Sequence, residues 1–265
     1  MIDLNQRPLS FSSLSQFDIS PIHYIKYITQ VKEQTPQMLL GSLVHCMILE
    51  PDEVDNEYVL APKFDMRKKE DKEAKAKFEQ DNEGKKVVDP ETWDTAMNIS
   101  SAVYDSPMAV NILSKLDARE CHFRFEHEGL PVNGYIDGIG KQNDTQNNTP
   151  FVLEIKTSIT ANPSDVIKDF YNKKYHIQAG IYRTAMERMG LSDNCPVVYI
   201  VVENKAPHIV SMFMASDEYV NHGVKEFNRL IDEFKEWKSI GFPTVGYSKS
   251  GSEELYELSL PGWVK

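Results

Sequence analysis

The chain has 265 residues, 41% of them hydrophobic, and a formal net charge of −11. That is enough apolar sequence for a sizeable core in one domain. No apolar stretch approaches the ~18 residues of a membrane span, and residues 1–7 lack a signal-peptide pattern.

The expected organisation is a single domain over residues 1–265, with a helical part to 115, a sheet with helices over 116–240 and an irregular tail over 241–265. Residues 9–17 open with helix-cap candidates and lead into a short helix at 20–27 that begins Ser20-Pro21. Residues 36–50 carry an apolar stripe at helical spacing (Leu39, Leu40, Leu43, Val44, Met47, Ile48). His45 sits inside this stripe. It reads either as a core histidine bonded to a carbonyl or as a divalent-metal ligand. Gly41, one turn earlier, leaves room for a close backbone or ligand approach.

Residues 65–86 are highly charged and read as a mobile arm or a helix over the active site. They contain a basic concentration: Arg67, Lys68, Lys69, Lys72, Lys75 and Lys77. Residues 90–115 read as helical. Strands follow near 120–128, 131–139 and 151–157, with 141–150 as a polar hairpin loop. Helices near 164–171 and 175–190 come next, with a second basic concentration, Lys168, Lys173 and Lys174, directly before the one that carries Gln178. The apolar run at 196–202 is a buried strand, followed by another near 208–214 and an amphipathic helix over 217–240. Trp263, in the tail, is a docking candidate for the body or for a neighbouring subunit.

The chemistry concentrates in Glu154-Ile155-Lys156. On a strand, side chains i and i+2 share a face, so Glu154 and Lys156 emerge together while Ile155 points the other way. A neighbouring strand brings Asp137 within reach. Two carboxylates and an ammonium at the edge of a buried sheet are costly unless something holds them. A hard divalent cation is the natural holder. By itself the tripeptide is weak, because strand-end Glu/Lys pairs are common as solvated ion pairs. Glu120 at a strand start offers a further carboxylate, with a solvated strand-start acid as the plainer reading. Gln178 and Tyr182, at i and i+4 on one helix face, present polar tips on the same side.

The ordered set Gly41…His45, Glu120, Asp137, Glu154-x-Lys156, Gln178…Tyr182 resembles the PD-(D/E)xK nuclease superfamily. Within it the likeness is to the recombination-exonuclease branch of RecB nuclease domains and lambda exonuclease, and closest to the exodeoxyribonuclease VIII (RecE-type) exonucleases. Residues 40–53, Ala61-Pro62-Lys63-Phe64 with Arg67, Tyr175-His176-Ile177-Gln178 and residues 258–263 extend the resemblance over most of the chain. It implies an αβββαβ core of the restriction-endonuclease type, a mixed central sheet flanked by helices, with helical N-terminal additions. It implies Mg²⁺, with Mn²⁺ as the alternative, held by His45, Asp137, Glu154 and the carbonyl of Ile155. Lys156 would be catalytic, with Gln178 and Tyr182 in support. Glu120 would serve a second metal or the DNA, and Arg67 a terminal 5′-phosphate.

The activity implied is 5′→3′ digestion of linear duplex DNA to leave 3′ single strands. A ring-shaped homo-oligomer, a RecT-type annealing partner and a phage or prophage setting are also implied. The alternatives are a RecB-type single-strand or structure-specific nuclease and a catalytically silent DNA-binding subunit. Three widely spaced cysteines, Cys46, Cys121 and Cys195, suggest a reducing, cytoplasmic compartment and argue against the four-cysteine iron–sulfur cluster some relatives carry. The acidic balance, with a pI near 5.2, at first sight argues against a DNA-binding protein, which usually shows a basic footprint. The expected arrangement is an acidic surface with a basic channel, the site carboxylates being neutralised by bound cations.

Overall fold

A computed structural model describes residues 4, 6–30, 34–144, 147–253, 255–260 and 262. In chain order the elements are α1 (Phe11–Ile19), α2 (Pro21–Thr29), α3 (Pro36–Leu49), a 3-10 turn (Pro51–Glu53), α4 (Val54–Glu57), β1 (Tyr58–Leu60), α5 (Lys69–Asp81), β2 (Lys86–Val88), α6 (Pro90–Tyr104) and α7 (Pro107–Leu113). Then come β3 (Leu116–His127), β4 (Leu130–Asp144), β5 (Asn147–Ser158), α8 (Pro163–Asn172), α9 (Tyr175–Arg188), β6 (Val197–Glu203), β7 (Val210–Met214) and α10 (Asp217–Ser239).

The main sheet runs β3-β4-β5-β6-β7. Its pairings are antiparallel except β5–β6, which is parallel and is crossed by α8 and α9. This is the mixed sheet flanked by helices that the αβββαβ reading expects. Period-two alternation decides the faces. Val152 on β5 with Val197, Tyr199 and Val201 on β6 pack into a core with α1, α2, α9 and α10. Phe151, Leu153 and Ile155 with Val198, Ile200 and Val202 pack into a second core with α3, α6 and α7. Strand β6 is therefore buried on both faces, as its unbroken apolar run requires.

Helix starts follow their caps. Pro36 stands in the first turn of α3, and the Thr35 hydroxyl accepts from the Met38 N–H at 3.2 Å. Helix α10 presents Val220, Phe227, Leu230, Ile231, Phe234 and Trp237 as its buried stripe. It meets α9 through two glycines, because a Cβ on Gly223 would lie 1.7 Å from the His176 carbonyl oxygen.

Two sequence expectations need correction. In the polar stretch read as a loop, residues 141–144 and 147–150 are ladder: pairing runs from Lys141↔Pro150 to Asp144↔Asn147. Backbone pairing needs no apolar side chains, so a polar hairpin arm escapes a pattern search. Two three-residue strands, β1 and β2, pair in parallel within the part read as helical. They are too short to show periodicity. Of the two readings of the charged segment the helix is the one observed: α5 has no buried residue and carries i,i+4 pairs Lys69–Glu73 and Lys75–Glu79 at 3.7 Å each. Trp263 lies outside the described residues. Among the described residues no helix is long and apolar enough to cross a membrane, and Cys46, Cys121 and Cys195 are free thiols.

Candidate active site

The site forms where β4 and β5 part. Their pairing stops at Gly138↔Leu153. β5 continues against β6 as far as Ser158↔Glu203. The next residue of β4, Asp137, supplies the acceptor that the missing ladder would have given. Its Oδ2 accepts the Ile155 N–H at 2.6 Å. A side-chain carboxylate thus completes the main-chain accounting of a diverging strand, and Asp137 is 7% exposed as a result.

Ile136 faces the α9 core, so Asp137 turns toward α3. There His45 Nδ1 lies 3.4 Å from Asp137 Oδ2. Glu120, on β3, falls between the paired positions Arg119↔Gly138 and Cys121↔Ile136 and has φ +46. A left-handed backbone at a glutamate costs on the order of 1–3 kcal/mol, and such strain collects at functional sites. His45, Glu120 and Asp137 place one ligand atom each within 4.8 Å of one another.

Glu154 emerges on the other face, toward α9. Its Oε1 accepts from Gln178 Nε2 at 3.0 Å and also from the Lys156 ammonium. Its Oε2 accepts from the Tyr182 hydroxyl at 2.8 Å, and Gln178 Nε2 also donates to that hydroxyl at 2.7 Å. Glu154, Gln178 and Tyr182 are buried, with Glu154 only 3% exposed, while Lys156 is partly buried. The set expected to converge on one cation therefore divides. His45 and Asp137 meet as expected, Glu120 joins them, and Glu154 is engaged by Lys156 and α9. Ile155 enters through its N–H. Arg67 is exposed in the loop before α5, its backbone N–H bonded to Asp65 at 3.1 Å. Gly41 does not serve a close protein contact, since a Cβ there would meet Thr157 Oγ1 at an ordinary 3.8 Å. It opens instead on a cavity of about 310 Å³ lined by Ser42, His45, Glu50, Tyr58, Lys86 and Glu120.

Electrostatics follow from this packing. Burial works against the charged imidazolium of His45, but the Asp137 carboxylate outweighs it and raises the pKa to about 9. Burial and the Asp137 charge push Glu120 up to about 7. Burial also opposes ionisation of Asp137, yet His45 holds its carboxyl below the ordinary value. Glu154 is pushed up by burial and by Asp137, since two neighbouring carboxylates resist sharing a full negative charge. The basic concentrations named from sequence are locally paired where the second meets the body: Lys173 with Asp169 at 2.7 Å, and Lys174 with Asp18.

Two carboxylates and an imidazole are a donor set for a divalent cation. Ligands at ~2.1 Å from one ion lie no more than ~4.2 Å apart, so a spread of 4.8 Å closes with a small side-chain adjustment. Ligation needs both His45 and Glu120 deprotonated. Cation affinity should therefore rise with pH between about 6 and 9, across the values given for these two groups. Calorimetric Mn²⁺ titrations at pH 6, 7.5 and 9, in buffers of different ionisation enthalpy, will show proton release on binding. An affinity independent of pH would remove both residues from the ligand set.

The sequence matches, over residues 10–244, a family described as a PDDEXK-like domain of unknown function (DUF3799). The chain belongs to this PDDEXK-like family. Asp137 and Glu154-Ile155-Lys156 lie within the matched residues. The fold of this PDDEXK-like chain is shared by a solved structure described as a "Putative exonuclease" from Eubacterium rectale. That match has a TM-score of 0.63 at 12% identity, covering 97% of this chain and 92% of the other. A second solved structure, of SSO0001, aligns over 87% of this chain and 92% of its own at 12% identity, with a TM-score of 0.28 that carries no argument. Among curated proteins none matches.

One residue beside the candidate site had no role from its sequence position. Tyr175 places its ring 4.6 Å from the Lys156 ammonium. The signal was present, since positions 175, 178 and 182 recur at helical spacing.

Proposed function

We propose that this chain is a divalent-metal-dependent nuclease that hydrolyses DNA phosphodiesters as a 5′→3′ exodeoxyribonuclease on linear duplex ends. The observation that carries the reading is the His45, Glu120 and Asp137 cluster at the gap between β4 and β5, where Asp137 accepts the N–H of Ile155, the residue between Glu154 and Lys156. Membership of the PDDEXK-like family supports it.

His45, Asp137 and Glu120 would hold the cation, with Glu154 and the Ile155 carbonyl completing the set. Mg²⁺ is the proposed ion and Mn²⁺ a working substitute. When bound, such an ion lowers the pKa of a ligated water and offsets charge on the phosphoryl group. Lys156, held in its charged form by Glu154 despite its burial, would orient that water through its ammonium, and its charge would oppose the charge that develops on the phosphate. Gln178 and Tyr182 keep the Glu154 carboxylate in place for both tasks. The RecE-type assignment adds proposals that rest on resemblance: a ring-shaped homo-oligomer, a RecT-type annealing partner, a phage or prophage role in recombination and a cytoplasmic setting. The same resemblance assigns Arg67 to a terminal 5′-phosphate.

One experiment tests the whole reading: Mg²⁺-dependent digestion of linear duplex, closed circular and single-stranded DNA. Linear duplex should be degraded from its ends and circles spared. Rapid loss of single strands with little duplex digestion would favour the RecB-type alternative. No cleavage of any substrate with Mg²⁺ or Mn²⁺ would leave the silent DNA-binding subunit. Using 5′-phosphoryl and 5′-hydroxyl duplexes in the same assay tests Arg67. Arg67→Ala should slow the first more than the second, because a hydroxyl end offers a guanidinium no paired acceptors.

A further inference from the structure

The Lys156 ammonium has two described contacts. One is the Glu154 carboxylate, two residues away on the same strand face. The other is the face of Tyr175, 4.6 Å from ammonium nitrogen to ring centroid. The Lys156 side chain is only 18% exposed, and a cation–π contact is strongest where water is excluded.

The ring is itself held. Phe170 meets it edge-on at 4.9 Å, and Phe11 packs at 6.0 Å. Phe170 in turn packs on the buried Tyr199 at 5.1 Å, and the Tyr199 hydroxyl donates to the Tyr175 carbonyl at 3.4 Å. The preceding residue, Lys174, has φ +62 and forms the sharp junction between α8 and α9. Its ammonium is tied to Asp18, which Arg229 also grips at 2.9 Å. The start of α9 is thus anchored to α1 and α10, and Tyr175 has little freedom to turn away.

We propose that Tyr175 is a positioning residue whose ring face holds the Lys156 ammonium in register with the Glu154 carboxylate. One face of α9 then sets both members of the pair: Gln178 and Tyr182 fix the carboxylate, and Tyr175 fixes the ammonium. Lysine carries a flexible four-carbon stem and no planar fork to orient it. A single carboxylate partner leaves the ammonium free to pivot, and the ring removes that freedom. Because the ring face does the holding, phenylalanine should substitute and leucine should not.

This role for Lys156 rests on the nuclease reading, so the test has a readout independent of activity. In protein carrying ¹³C,¹⁵N-lysine, with the Lys156 signals assigned by their absence in Lys156→Ala, the ε-methylene protons of Lys156 should lie upfield of the other lysines through the ring current of Tyr175. Tyr175→Phe should keep that displacement and Tyr175→Leu should abolish it. On linear duplex DNA, Tyr175→Phe should retain kcat. Tyr175→Leu should lose roughly 10–100-fold in kcat with little change in KM or Mn²⁺ affinity, as small misplacements of a reacting group do.

A Lys156 signal in the wild type with no upfield displacement would overturn the proposal, and that measurement needs no variant to fold. So would a leucine variant with native kcat, or a phenylalanine variant as slow as leucine. If the wild type cleaves no DNA at all, the nuclease reading fails while the ring–ammonium contact is still decided by the spectra.

Discussion

Lys156→Ala should cleave linear DNA about 10²–10⁴-fold more slowly than the wild type, the range expected for loss of acid–base assistance. An ammonium is not a metal ligand, and His45, Glu120 and Asp137 form their cluster without it. Mn²⁺ affinity should therefore survive. The fold should survive too, because the buried Glu154 keeps its bonds from Gln178 and Tyr182 after Lys156 is removed. Loss of the ammonium also takes away one influence that favours ionised Glu154, so the carboxyl becomes more readily protonated rather than stranded as a buried charge. The decisive measurements are single-turnover cleavage beside calorimetric Mn²⁺ binding. A variant that cleaves at the native rate would take Lys156 out of the mechanism. One that loses metal affinity along with activity would make it a structural residue.

Gly223→Ala should destabilise the protein by at least ~3 kcal/mol, the upper part of the range for overpacking a well-filled core. The added Cβ would stand 1.7 Å from the His176 carbonyl oxygen and 2.5 Å from its carbon. Both are backbone atoms and cannot swing aside as a side chain can. Gly180 approaches α10 in the same way, 2.4 Å from its Cβ position to the Gly223 carbonyl carbon. The sign makes the prediction sharp, because alanine in place of glycine within a helix ordinarily stabilises by about 1 kcal/mol. Here α9 would have to move away from α10, carrying Tyr175, Gln178 and Tyr182 off the Glu154–Lys156 pair. Urea unfolding should show a lower midpoint with an unchanged slope, and cleavage should fall with it. A Gly223→Ala protein as stable as the wild type would mean that the two helices are not in backbone contact.

Much of this molecule is readable along its chain, for identifiable reasons. Strand β6 announces itself through a run of six apolar residues buried on both faces. The apolar stripe of α3 and its Thr35-Pro36 start define the helix that carries His45. Alternation alone puts Glu154 and Lys156 on one face of β5. The polar hairpin arm and the strands β1 and β2 escaped because hydrogen-bonded backbone leaves no mark on side-chain polarity over such short spans. The basic concentrations were visible as composition, but composition does not say that Lys69, Lys75, Lys173 and Lys174 face acids.

What the sequence by itself determined is which side chains share a face and in what order the chemistry-bearing residues come: His45, Glu120, Asp137, Glu154, Lys156, Gln178, Tyr182. Periodicity is a local property, set by backbone geometry that every residue of a helix or strand obeys. Only the tertiary structure decided which of these residues touch. The parting of β4 from β5 turned Asp137 into a backbone acceptor beside His45, and the left-handed backbone at Glu120 accompanies a third candidate donor beside them. The glycine contact of α9 with α10 left Glu154 to Gln178 and Tyr182, and Lys156 to the ring of Tyr175. Those outcomes depend on angles and separations between elements distant in the chain. Such separations are set by how whole surfaces pack, and no local pattern encodes them.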